Sequence, residues 1–123
     1  MTPTILDLFK VPVPKRMIGK SMLPLIRGRG KPHRKAAVLG LCNRNPGNDS
    51  GWVQAMDGTW SYTAWRGERG PALHHMTKDR NCRRNLVKKR PGVVRRLEKE
   101  VRSFMAAQNL DPDWIAGYGF ANT

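Results

Sequence analysis

The sequence predicts an α+β fold: a small antiparallel sheet of three to four strands packed by one long C-terminal helix, preceded by a short helix and loop. Three observations predict it. Apolar and aromatic runs of strand length crowd the middle of the chain and are separated by turn residues. Asp57-Gly58 sits between two of those runs, the strongest short-range hairpin signal present. From Pro91 onward the apolar positions recur at helical spacing.

Each element follows from local chemistry. Ile5, Leu6, Leu8 and Phe9 cluster over two turns, with Thr2 or Thr4 as the expected N-cap, and Pro12 and Pro14 stop that short helix. Pro24 interrupts the stretch from Met17 to Arg27, which reads as a loop with a brief helical turn. Arg27-Gly28-Arg29-Gly30-Lys31-Pro32 is a basic bend; two Arg-Gly pairs are too few to mark an RNA-binding tract. Ala36 to Cys42 is a continuous apolar run, expected to be a strand buried on both faces. Asn43 to Gly51 is dense in turn formers and is expected to be a long exposed turn.

Trp52–Met56 and Thr59–Trp65 then flank Asp57-Gly58, with positive φ expected at both turn positions. Trp60, Tyr62 and Ala64 share one face; Thr59, Ser61 and Thr63 share the other. Ala72 to Met76 supplies a third or fourth strand. Pro91 suits the first position of a helix whose inner face is Val94, Leu97, Val101, Phe104 and Met105. Arg95, Arg96, Glu98, Lys99 and Arg102 are assigned to its polar remainder, and Asn109 to its stop. Trp60 is expected to pack on Leu97 and Val101. Trp114, in a tail of mixed aromatics and glycines, is expected to be the more exposed of the two.

A chain of 123 residues suffices for one domain and is too short for two good cores. Its 23 Lys and Arg against 9 Asp and Glu leave a net charge of +14, which favours polyanions without choosing among nucleic acid, anionic membrane and sulfated glycan. No run approaches the roughly 20 apolar residues of a membrane span, so no membrane partner is expected. The first residues show no signal-peptide pattern. Cys42 and Cys82 form no C-x-x-C pair; one disulfide and two reduced thiols are both compatible with their spacing.

Two passages point to a family. Leu73, Asp79, Asn85 and Leu86 fall at the spacing of a pattern reading Leu-Tyr-Asp-Leu followed by Asp-Pro-x-Glu-x-x-Asn-Leu. His74, His75, Arg80 and Cys82 stand where that pattern has Tyr, Asp, Pro and Glu. Near the start, Pro3 to Leu8, Val11 to Pro14 and Gly19 to Gly28 form a second passage in the matching order. In both, the chain resembles the C-terminal portion of type I sulfatases. The resemblance implies that residues 1–30 end a sulfatase catalytic domain and that 31–123 form its C-terminal subdomain. It implies sulfuric ester hydrolase activity for an intact enzyme, with calcium and formylglycine as its cofactors and a periplasmic, secreted or lysosomal setting.

Neither Cys42 nor Cys82 lies in the C-x-P-S-R motif that becomes formylglycine. The chain also lacks the family's Asp-Asp and Asp-Asn pairs, and calcium requires several converging carboxylates. No catalytic residue, no metal ligand and no cofactor is therefore assigned within this chain. Candidate substrate contacts are His33 and Arg34, in a loop able to reach a sulfated substrate, and His75, on a strand where one of His74 and His75 points inward. A surface-loop histidine and a hydrogen-bonded core histidine are the simpler readings of these.

Arg80 to Arg96 carries eight cations and is the candidate surface for polyanions, set against an ordinary solvated helix start. Trp52, Trp60, Tyr62 and Trp65 suit core packing better than stacking on sugars or bases. Asn48-Asp49-Ser50 fits a glycosylation sequon. The expected partners are a sulfated substrate in an intact enzyme, polyanions without specificity, and a second copy through the apolar N-terminal helix. The alternative is a small basic protein that binds polyanions or nucleic acid, although no recognised nucleic-acid module is present.

Overall fold

Four strands lie side by side in the order in which the chain makes them: β1 (Ala37–Asn45), β2 (Asn48–Met56), β3 (Trp60–Trp65) and β4 (Ala72–His75), antiparallel throughout. The computed structural model describes residues 1–17, 19–45 and 48–121, and for 42–45 and 48–49 the backbone alone. Helices α1 (Thr2–Leu8) and α2 (Leu23–Ile26) precede the sheet; α3 (Pro91–Ala107) and α4 (Pro112–Ala116) follow it. The α+β arrangement read from the sequence is the one observed.

Register explains the core. Ala55 stands opposite Tyr62 and Tyr62 opposite Leu73, so three inward side chains form one row across the sheet. Val53 and Ala64 form the next row. These residues meet Val94, Leu97, Val101 and Met105, which recur along one face of α3. At about 25 cal/mol per Å² of apolar surface, such a cluster is the main stabilising term for this unit.

Several expectations need correction. β1 is an edge strand with Leu39 and Leu41 exposed, because within this unit α3 covers a single face of the sheet. The supposed long turn after Cys42 is mostly strand, with Asn45 paired to Asn48; Pro46 and Gly47 lie outside the described residues. The sequon therefore begins β2 rather than decorating a loop. In the Asp57-Gly58 turn only Gly58 takes positive φ (+89°). Asp57 acts through its side chain instead, Oδ1 accepting from the amides of Thr59 (3.0 Å) and Trp60 (2.8 Å). The N-cap of α1 is Met1, with proline in the first turn and no side-chain cap; Thr4 Oγ1 accepts from the Met22 amide instead.

Glu98 was assigned to the polar face of α3 and is instead 2% exposed. Its carboxylate accepts from the Tyr62 hydroxyl (3.0 Å) and from Arg102 Nε and Nη2 (3.0 and 2.9 Å), so the buried charge is met on both oxygens. The tail is built into the same unit. Asp111 caps α4 through the Asp113 amide, and Trp114, Tyr118 and Phe120 are buried. Arg66 and Tyr118 form a bridge that lays the tail along β3. The Arg66 guanidinium lies 3.9 Å over the Trp114 ring. Trp114 is thus a core residue, while Trp60 is half-buried against His75 (ring centroids 4.5 Å).

Met1–Lys35 and Ala36–Thr123 are separate compact units. The first holds α1 to α2 by hydrogen bonds: Ser21 Oγ donates to Asp7, and Met22 to Thr4. Among the described residues its buried ones are Pro3 and Leu23, while Ile5, Leu8, Phe9 and Ile26 are exposed. Among the described residues no helix is long and apolar enough to cross a membrane.

Candidate functional site

Where β4 ends, the chain makes a turn whose hydrogen bonds fall to a few residues. The Asp79 amide donates to the His75 carbonyl (2.9 Å) and the Cys82 amide to the Asp79 carbonyl (3.0 Å). Asp79 then closes the turn with its side chain, Oδ1 accepting from the Arg83 amide (3.1 Å) and Oδ2 from the Arg84 amide (2.8 Å). Those amides hold the Asp79 carboxyl below its ordinary value. Cys82 takes φ of +51°, which bends the segment sharply and leaves its thiol exposed and free.

Asn85 ties the returning chain to the sheet. Its Oδ1 accepts from the Leu73 and Val87 amides, and its Nδ2 donates to the Pro71 carbonyl. The Leu86 amide donates to the Leu73 carbonyl (2.8 Å). Residues 80–84 therefore project as an arch, pinned at one foot by Asp79 and at the other by Asn85 and Leu86. The four residues on the sulfatase pattern, Leu73, Asp79, Asn85 and Leu86, are those that hold the arch. Of the departures from it, Arg80 and Cys82 lie on the arch and His75 beside it.

Between the arch, the end of β4 and the start of α3 lies an open cleft of about 860 Å³. Trp60, His75 and Leu86 contribute its apolar and aromatic wall. Lys78, Arg80, Arg83, Arg84, Lys89 and Arg90 line the rest, against one carboxylate, Asp79, already bonded to backbone. Among the described residues none of the six cations forms a salt bridge. Six unpaired cations around one cleft create a strongly positive local field. His75 Nδ1 lies 3.2 Å from Thr77 Oγ1 and accepts from the Lys78 amide, which leaves Nε2 for a ligand.

The structure sorts the sequence candidates. His75 lines this cleft. His33 and Arg34 belong to the first unit, both exposed, with His33 Nε2 2.7 Å from the Ser21 carbonyl oxygen. The basic stretch divides: Arg80, Arg83, Arg84, Lys89 and Arg90 line the cleft and Lys88 does not, while Arg96 pairs with Asp57 and Arg95 faces a shallow groove with Lys99 and Arg102. Lys78 was missed as a site residue, and Trp60, weighed as a stacking residue and assigned to the core, lines the cleft. An Asp four and five positions before two arginines was the available signal, since that spacing closes a turn and turns both side chains outward.

Opposite α3 the sheet carries a second, smaller groove, where Gln54 Nε2 donates to Ser61 Oγ (2.8 Å) and Thr63 Oγ1 (3.1 Å). Among the described residues no group of three or more His, Cys, Asp or Glu side chains could hold a metal ion. The calcium implied by the resemblance therefore has no fitting donor set among them.

No protein-family model and no curated protein matches the sequence. Solved structures do. A protein assigned as a sulfatase from Bacteroides thetaiotaomicron matches with a TM-score of 0.75 and 21% identity, over 93% of this chain and 27% of its own. A 2-O GAG sulfatase matches with a TM-score of 0.75 and 22% identity, over the same shares. A protein in complex with its substrate D-glucosamine-2-N,6-O-disulfate matches at 0.73 and 19%, over 90% and 24%. This chain has the fold of a sulfatase's C-terminal portion. It spans about a quarter of the length of those sulfatase structures. In this sulfatase fold the charged arch stands beyond β4, at the start of α3.

Proposed function

We propose that this chain is the C-terminal subdomain of a sulfatase-family sulfuric ester hydrolase, that it closes one side of a substrate cleft, and that nucleophile and metal site lie outside it. The observation that carries the reading is the asymmetry of the structural match, nearly all of this chain against about a quarter of a sulfatase. The order of the two sequence passages and the roles of Leu73, Asp79, Asn85 and Leu86 in the arch support it. A substrate bearing sulfate groups suits the cations around His75, and His33 and Arg34 remain candidate contacts. The residues expected to end a catalytic domain, 1–30, fall within the first unit, which exposes apolar α1 side chains.

Two measurements test this. The coding sequence upstream of Met1 is expected to encode a Cys- or Ser-x-Pro-Ser-Arg motif in the same frame; a frame without it would sink the reading. The chain alone is expected to turn over no aryl sulfate. Turnover abolished by Cys42→Ala or Cys82→Ala would place a nucleophile here and overturn the assignment. A second reading, a free-standing basic protein for polyanions, is favoured by the net charge of +14 and by the unpaired cations of the cleft.

A further inference from the structure

We infer that the cleft beneath the arch is an anion-binding site that grips a chain of closely spaced sulfate groups, engaging two or more of them at once. Its cations come from three stretches: Lys78 just past β4, Arg80, Arg83 and Arg84 on the arch, and Lys89 and Arg90 at the start of α3. A cleft of about 860 Å³ is many times larger than one sulfate, so a single anion would leave most of these charges unmatched. Adjacent sulfates on an extended chain would match several together.

Four of the six cations are arginines, whose planar guanidinium presents two parallel N–H donors to two oxygens of one anion. The arginine positions are preset. Asp79 fixes the backbone of Arg83 and Arg84 directly, so the main chain that carries them need not be ordered on binding. A single carboxylate, Asp79, stands against the six cations, and its two oxygens are engaged by those amides.

A sulfated polysaccharide fits better than nucleic acid. Single-stranded nucleic acid draws much of its affinity from bases stacked on aromatic rings. The aromatic residue in this cleft, Trp60, already packs on His75, with ring centroids 4.5 Å apart. Six cations against one half-buried tryptophan favour a ligand read by its charges. The preference for sulfate over phosphate rests partly on the sulfatase reading; the location and multivalency of the site do not.

The test is isothermal titration of the whole chain with a fully sulfated heparin oligosaccharide, its desulfated counterpart, single-stranded DNA of equal charge, and inorganic sulfate. The sulfated chain is expected to bind, with affinity falling linearly in log salt. Arg83→Gln with Arg84→Gln should weaken it by roughly tenfold or more, two charge-assisted contacts being lost. Lys78→Gln with Lys89→Gln should do likewise from other segments, which guards against a local folding fault in the arch. Arg95→Gln with Lys99→Gln removes two exposed charges of the same unit that line another groove and not the cleft, and should change affinity by less than about twofold.

Equal losses from all three pairs would mean diffuse attraction and overturn the site. Competition by inorganic sulfate at the oligosaccharide's own concentration would overturn the multivalent grip. Tighter binding of the DNA would overturn the ligand class. Site-specific binding in a protein whose upstream frame lacks the nucleophile motif would sink the sulfatase reading alone. A frame with the motif but no loss in the arch variants would sink this inference alone.

Discussion

Asp79 and Glu98 are two carboxylates with opposite surroundings. Asp79 is exposed to solvent and owes its depressed pKa first to the Arg84 amide, then to the Arg83 amide. A carboxyl whose folded pKa is depressed contributes stability above its unfolded value, near 3.8, and loses it as pH falls through the lower folded value. Asp79→Asn should therefore lower the melting temperature at neutral pH and have little effect at a pH below the folded value. Equal loss at both pH values would mean that the carboxylate does not hold the arch.

Glu98 sits beneath the surface, where it receives the Tyr62 hydroxyl and Arg102. Burial raises the Tyr62 pKa far above the ordinary phenol, and neighbouring Glu98 adds to the rise. The hydroxyl therefore stays a donor throughout the working range of pH. Glu98→Ala leaves that buried donor without its acceptor and should destabilise by about 1–3 kcal/mol, read from urea midpoints. An unchanged midpoint would show that the buried carboxylate contributes no net stability.

At the scale of elements, α4 and the residues after it were the least legible part. Hydrophobic periodicity exposes α3 at once, because Val94, Leu97 and Val101 recur every three or four residues. Trp114, Tyr118 and Phe120 have no such period; what buries them is contact with Arg66, Arg102 and the edge of β3, all distant in sequence. Trp114→Ala should accordingly cost about 3–5 kcal/mol, the usual range for a truncated core aromatic. Trp60→Ala, at a half-buried position, should cost less. The reverse order in thermal denaturation would count against the placement of the tail. Glu98 was misjudged for a related reason: helical spacing placed it beside the apolar stripe, and only the facing Tyr62 hydroxyl makes burial tolerable there. The cleft was legible in part, since the cations were evident but not the turn that gathers them.

α1 shows the same limit from the other side. Ile5, Leu6 and Leu8 were read correctly as helical and Phe9 is the C-cap, yet Ile5 (48%), Leu8 (56%) and Phe9 (72%) are exposed. Fully burying a side chain of this size contributes about 1.5–3 kcal/mol, so an uncovered row favours fraying or association. Hydrogen exchange over residues 4–9 should be faster than over α3, or sedimentation should show concentration-dependent association. A monomer with equal protection in both helices would defeat that expectation.

For the whole molecule, charge and fold lie on different residues. The core of the second unit is held by aliphatic and aromatic contacts and one buried carboxylate network. The excess of cations instead lies outside the core, six of them around one cleft. Removing cleft charges should therefore alter binding much more than stability.

The arch carries one more consequence. Leu73, Asp79, Asn85 and Leu86 bear the hydrogen bonds that shape it, Asp79 at one foot and Asn85 and Leu86, both bonded to Leu73, at the other. Positions 80, 83 and 84 are exposed between those feet. A lineage could rewrite the displayed residues one by one, changing what the cleft accepts, without ever passing through an unfolded ancestor. The arch is in that sense a natural grafting frame, with its scaffold and its message written in separate letters.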